Sequence, residues 1–209
     1  MKQKSGVVVG ITGQSGGGKT FVGSLLSEYG FHVINADIVS RKVVEKGSPA
    51  LAKLVKHFGN EILQLNGELD RSKLGSIVFN DMEKKKLLED TVFPYIIREI
   101  TNQVNTLHDY GSPGVFLDAP TLFESGLNEF CDKVVVVIAP RELRSRRILE
   151  RDSITPEQVE ARLSAQHEDE FYTSRADYVL ENKGKPHDLE VQLLKVLDNL
   201  GLYKYIEQI

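Results

Sequence analysis

The sequence predicts an α/β protein with a five-stranded parallel sheet and two helical insertions. Three observations predict it. The stretch Gly13-Gln14-Ser15-Gly16-Gly17-Gly18-Lys19-Thr20 fits the pattern G-x-x-x-x-G-K-[ST]. A short apolar run, Val7–Thr12, precedes it, and Phe21, Val22, Leu25 and Leu26 follow at helical spacing. Four more short apolar runs then alternate with helical patterns: His32–Asn35, Val115–Asp118, Val134–Ala139 and Tyr178–Leu180. Strands buried on both faces read as continuous apolar runs, and helices between them imply right-handed crossovers.

The first run and its loop carry the chemistry. Glycines let the backbone turn tightly and aim successive N–H groups at phosphate oxygens. Gly13, Ser15, Gly16, Gly17 and Gly18 would form that cradle, and Thr20 and Phe21 would open a helix whose N-terminus favours an anion. Lys19 is placed to reach the outer phosphates, and the Thr20 hydroxyl to sit on magnesium. A plain glycine linker would need the strand before and the helix after to be accidents. A dinucleotide fold needs G-x-G-x-x-G, which is absent here.

Composition limits the rest. The chain has 209 residues, 41% hydrophobic and 27% charged, which suits one α/β domain with insertions. The net charge of -4 argues against broad nucleic-acid binding, so anionic ligands must be held by local cations. A lone cysteine, Cys131, makes no internal disulfide and fits a reducing cytoplasm. No run is long enough to span a membrane, and the apolar run after Met1-Lys2-Gln3-Lys4 is too short for a signal peptide. The expectation is a cytoplasmic protein with no nucleic-acid or membrane partner, monomeric or a small homo-oligomer.

Two intervals exceed a single crossover helix. The first, about 37–109, holds Pro49, a turn at Asn66-Gly67, and the stripe Ile96, Ile97, Ile100, Val104 and Leu107 with Pro94 near its start. The second, about 141–175, is rich in arginine, with Thr155 as N-cap ahead of Pro156. A basic helical pair beside a phosphate site reads as a lid. The core is then about 1–36, 110–140 and 176–209.

Asp37 follows the second strand, at the edge where open α/β sheets bind ligands. Position alone allows it to align an acceptor hydroxyl or to cap the helix Ile38–Glu45. Asp118 ends the third strand and is placed to help hold magnesium, or to cap the turn before Pro120. Arg144, Arg147 and Arg151 share one helical face. They would either pair with Glu142 and Glu150 or stabilise charge on a transferring phosphoryl group, with Arg144 and Arg147 the candidates.

Taken together, these residues resemble the dephospho-coenzyme A kinase family. The likeness runs through Val33–Asp37, Phe58-Gly59, Gly67–Arg71, Leu117–Leu127, Arg147–Asp152, Arg162 with Gln166, and Ala176-Asp177 with Asn182 and Gly184. The resemblance implies a P-loop kinase core, a helical acceptor-binding insertion and a lid. It implies transfer of the ATP γ-phosphoryl group to the ribose 3′-hydroxyl of dephospho-CoA. On it, Asp37 is the catalytic carboxylate, Arg71 contacts the acceptor, and Phe93, Leu122, Phe123 and Glu124 line the acceptor site. Asn182, Lys185 and Pro186 lie near adenine. Phe93 and Thr121 depart from the family pattern, which has His and Leu at these places, as does Arg144 at a position often occupied by Gln.

Two rival functions remain. Another P-loop nucleoside or nucleotide kinase would share core and lid. A GTP-binding switch would need an Asp where Lys185 stands in Asn182-Lys183-Gly184-Lys185.

Overall fold

The computed structural model describes residues 6–79 and 81–208. The lead-in Met1-Lys2-Gln3-Lys4 lies outside the described residues. In chain order the elements are β1 (Val7–Thr12), α1 (Lys19–Glu28), β2 (His32–Asn35), α2 (Ala36–Lys42), α3 (Pro49–Phe58), α4 (Arg71–Val78), α5 (Met82–Asp109), β3 (Gly114–Asp118), β4 (Lys133–Ile138), α6 (Arg141–Asp152), α7 (Pro156–Ser164), α8 (Asp169–Thr173), β5 (Tyr178–Glu181) and α9 (Pro186–Asn199). They form two compact units, Met1–Ile34 with Thr106–Ile209, and Asn35–Asn105.

In the first unit the sheet runs β2-β3-β1-β4-β5. β1 pairs in parallel with β3 (Val7 opposite Gly114) and with β4 (Thr12 opposite Val136), and β4 with β5. The first strand is thus central, with chain connections leaving to both sides. Its carboxyl end is a switch point, where a ligand crevice opens. The expected apolar runs are the strands, shifted by one residue where pairing extends them. Gly114 joins β3, β4 runs Lys133–Ile138 rather than to Ala139, and β5 reaches Glu181.

Burial explains the apolar runs. Val9, Ile11, Val135 and Val137 are almost wholly buried, covered by Val22 and Leu26 of α1 and by Leu189 and Leu193 of α9. Phe31 and Phe116 meet edge to face at 5.5 Å in the same core.

α6 and α7 share a small core of Ile148, Val159 and Leu163. α7 starts with a full capping box: Gln158 N–H donates to Thr155 Oγ1, and Thr155 N–H to Gln158 Oε1. Thr155 is therefore the N-cap, as the sequence suggests.

The second unit packs Ala50, Leu54 and Phe58 of α3 against Ile62, Leu74 and Val78. Asn66-Gly67 forms the expected turn: Gly67 has φ +81°, and Glu68 N–H donates to Asn66 Oδ1 at 3.0 Å. Leu63 and Leu69 bridge across it. Asp70 then caps α4 by accepting from Lys73 N–H at 2.9 Å, which makes Arg71 the first helical residue.

One expectation fails here. Pro94 lies inside α5, not near the start of a helix. An interior proline removes a donor and costs about 3 kcal/mol. Leu88, Val92 and Tyr95 flank it and pack against the unit's core, and that burial holds the helix continuous across the proline.

Candidate active site

The loop after β1 is shaped by what lies behind it. Gly13 has φ +136°, and a Cβ there would stand 2.1 Å from the Val137 carbonyl oxygen. Gly18 caps α1 with φ +114°, and a Cβ there would meet Asn182 Nδ2 at 2.2 Å. No other residue fits either place. Lys19 folds back over the loop, its Nζ 2.6 Å from the Gly13 carbonyl and 3.4 Å from that of Gln14.

Two side chains fix the loop from other elements. Asn182, at the end of β5 and 4% exposed, donates through Nδ2 to the Gly17 carbonyl at 2.8 Å. Its Oδ1 accepts from Arg147 Nη2 and from Gly184 N–H. Arg147 of α6 also donates to the Gly16 carbonyl at 3.0 Å. A trans peptide points its C=O and N–H in opposite directions. With the Gly17 carbonyl drawn back to Asn182, the Gly18 N–H is turned the other way, as an anion cradle requires.

The segment between α7 and α8 holds the loop as well. Ser15 N–H donates to Gln166 Oε1 at 3.2 Å, and Gln14 Nε2 donates to the His167 carbonyl at 2.8 Å. Gln14 is 2% exposed. Beyond this contact, the His167 ring stacks on Phe171 at 3.8 Å, Phe123 packs edge to face on Phe171, and His167 Nε2 lies 4.0 Å from Glu124.

Arg144, Arg147 and Arg151 share one face of α6 but have different partners. Arg144 is 5% exposed, donates through Nε to the Ala139 carbonyl, and has its backbone against Gly16. Burial lowers the pKa of the Arg144 and Arg147 guanidinium groups from the ordinary value, yet arginine keeps its charge in proteins. Arg151 is exposed and binds Asp152, the residue that also accepts from Arg162 of α7. Among the described residues neither Glu142 nor Glu150 forms an ion pair with these arginines, although the Glu150 charge acts on Arg147. The αL turn at Ser153 brings α7 back so that Asp152 receives both arginines.

Other predicted residues fall as follows. Thr20 and Asp118 line one cavity of about 450 Å³ at the start of α1, with Gly23, Ser24 and Val33. Phe21 is partly exposed beside them. Lys185 precedes α9 and Pro186 is its first residue, while Asn182 faces the loop itself. Leu122 is fully buried and lies under Gly10, where a Cβ would meet it at 2.8 Å. The turn after β3 folds this leucine into the core, so it lines no ligand surface. Phe123 and Glu124 remain accessible.

In the second unit the cap of α2 is Asn35, whose Oδ1 accepts from Ile38 N–H at 3.0 Å. The capping role considered for Asp37 is therefore taken by Asn35. Asp37 is exposed in the first turn, where a helix favours a carboxylate. Arg71 and Phe93 line one cavity of about 310 Å³ with Leu74, Gly75, Leu88 and Val92. Arg71 also borders a polar cavity of about 440 Å³ that includes Arg41 and Lys46.

Sequence reasoning gave no role to Gln14 or Gln166, and none behind the loop to Asn182, which the resemblance sets near adenine. Only the recurrence of Gln166 and Asn182 in the family likeness could have singled them out.

Sheet order, loop and backing side chains define a P-loop kinase. The family model described as Dephospho-CoA kinase matches residues 7–188. A dephospho-CoA kinase of Geobacillus kaustophilus is 40% identical over 191 residues, 91% of this chain and 95% of its own. A crystal structure from Thermus thermophilus superposes with TM-score 0.81 at 36% identity, covering 94% of this chain and 99% of that one. The dephospho-CoA kinase from Campylobacter jejuni gives 0.69 at 31%, covering 92% and 96%. The chain belongs to the dephospho-CoA kinase family.

Proposed function

We propose that the protein transfers the γ-phosphoryl group of ATP to the ribose 3′-hydroxyl of dephospho-CoA, giving CoA and ADP. The observation that carries this reading is a glycine loop of the phosphate-binding pattern held from behind by Asn182 and Arg147, with the Lys19 ammonium folded over its Gly13 and Gln14 carbonyls.

Phosphoryl transfer passes through a loose transition state with charge on the equatorial oxygens. Loop N–H groups and the Lys19 ammonium stabilise that charge in place. Asp37 orients the acceptor hydroxyl and takes its proton late. Arg147 acts by holding the loop through the Gly16 carbonyl, and Arg144 supports the wall beneath it. The apolar cavity bounded by Arg71 and Phe93 suits an acceptor with an uncharged arm joined to a diphosphate.

Thr20 and Asp118 offer one hydroxyl and one carboxylate in a shared cavity. Among the described residues no group of three His, Cys, Asp or Glu side chains could hold a metal. Magnesium suits such a sparse set of hard oxygens, since it keeps waters and binds through substrate phosphates. When bound it would neutralise phosphate charge, with Thr20 and Asp118 holding it. Among the described residues no helix is long and apolar enough to cross a membrane.

The test is product mass after incubation with ATP, magnesium and dephospho-CoA. The expected result is CoA, one phosphoryl heavier than the acceptor, with Lys19→Ala and Asp37→Asn each cutting turnover about a hundredfold. Phosphorylation of a free nucleoside instead would assign the chain to the rival kinase class.

A further inference from the structure

Gln166 stands at the end of the loop that a terminal phosphoryl group would occupy. A phosphate-loop lysine reaches the β- and γ-phosphates. Here Lys19 Nζ lies on the Gly13 and Gln14 carbonyls, which marks the β/γ end of the loop as Gly13–Ser15. Gln166 Oε1 accepts from the N–H of Ser15 at that same end. The carboxamide is half-buried, and no acceptor among the described residues lies against its Nε2. The backbone beside it is fixed, since Gln14 Nε2 holds the His167 carbonyl. In a planar carboxamide the N–H on the oxygen's side lies nearly parallel to the C=O, so an amide anchored through its oxygen presents a donor on the same side as its anchor.

We propose that Gln166 reads the terminal phosphoryl group of the nucleotide: Oε1 keeps the Ser15 N–H, while Nε2 donates to an oxygen of the γ-phosphate. The assignment rests on the reading of this loop as an ATP site, and deepens it. Adenosine diphosphate has no group at that place, so the contact favours triphosphate over diphosphate. It also ties the second lid helix to the reacting end of the nucleotide, because Gln166 lies two residues beyond α7.

A merely structural Gln166 and a phosphoryl-reading one respond differently to substitution. A carboxylate accepts from the Ser15 N–H at least as well as an amide does. Gln166→Glu therefore preserves the loop contact, but removes the donor and sets a negative charge toward the γ-phosphate. The experiment is calorimetric titration of wild type, Gln166→Glu and Gln166→Ala with Mg·ATP and with Mg·ADP. The expected result is an ATP Kd about tenfold or more weaker in both variants, with ADP Kd within about threefold of wild type. ATP and ADP affinities falling together in Gln166→Glu, or an unchanged ratio of the two, would overturn the assignment while the ATP site stands. Wild-type protein that binds neither nucleotide would overturn the site itself, and the assignment with it.

Discussion

Arg147 and Asn182 are hydrogen-bonded to each other, Nη2 to Oδ1 at 3.2 Å, and each also holds a carbonyl of the phosphate loop. The guanidinium, the carboxamide and two adjacent glycine carbonyls form one network, buried at Asn182 and half-buried at Arg147. Removing one member leaves buried groups unsatisfied, at about 1–3 kcal/mol. Asn182→Ala should lower Tm by several degrees and raise the KM for ATP about tenfold, while the acceptor KM stays near wild type. Thermal melts and initial rates at varied ATP check it.

Gly18 and Gly75 should respond in opposite ways to alanine. Gly18 has φ +114° and Asn182 Nδ2 2.2 Å from the added carbon, so Gly18→Ala must distort the cradle. Turnover should fall about a hundredfold or more. Gly75 sits inside α4 with nothing within 4 Å of an added Cβ. Gly75→Ala should stabilise the protein by about 0.5–1 kcal/mol, measured by denaturant titration.

The same open space offers a test of whether the cavity of about 310 Å³ takes the acceptor. Gly75 lines it beside Arg71 and Phe93. Gly75→Leu fills part of that volume without straining the helix. The expected outcome is an acceptor KM raised about tenfold or more, with the KM for ATP unchanged. An unaltered acceptor KM would remove the cavity from substrate binding.

The Asp152 carboxyl is held down to about 2 by hydrogen bonds from Arg151 and then Arg162. Its pKa in the folded state is below the unfolded one, so its contribution is complete above about pH 4. It is lost as pH falls toward about 2. Asp152→Asn should therefore melt below wild type at neutral pH, and the gap should close as pH falls through that window. Melting curves of both proteins at stepped pH read this directly.

Burial, with the nearby Asp132 carboxylate adding to it, pushes the Cys131 thiol up to about 12. Its Sγ donates to the Leu127 carbonyl at 3.5 Å. At pH 8 the thiolate fraction is then far below that of an ordinary cysteine. A disulfide reagent should label the folded protein slowly and the denatured protein at once, as absorbance of the released thiol would show.

The parts legible from sequence were those set by local rules. The loop has a fixed glycine register, the strands are short apolar runs, and Thr155 with Gln158 writes its own capping box. What escaped depends on contacts between distant residues. Leu122 looked like part of a ligand-facing motif, yet a glycine at position 10 makes room for it in the core. Pro94 looked like a helix start, yet apolar residues on both sides held one helix through it. Asn182 lies 165 residues from the carbonyl it binds, and Gln166 lies 151 from its Ser15 donor. No periodicity connects such pairs. The arginines illustrate the same limit, because helical spacing along α6 says nothing of which one meets the Gly16 carbonyl.

The Gly17–Gly18 peptide is oriented before any nucleotide arrives, since Asn182 holds it from the rear. The entropy of ordering that stretch is therefore charged to folding, once per molecule, and not to every catalytic cycle. A receptor ready in advance captures its ligand at a rate set by diffusion and docking, so slow steps in turnover should be sought in product departure or lid motion.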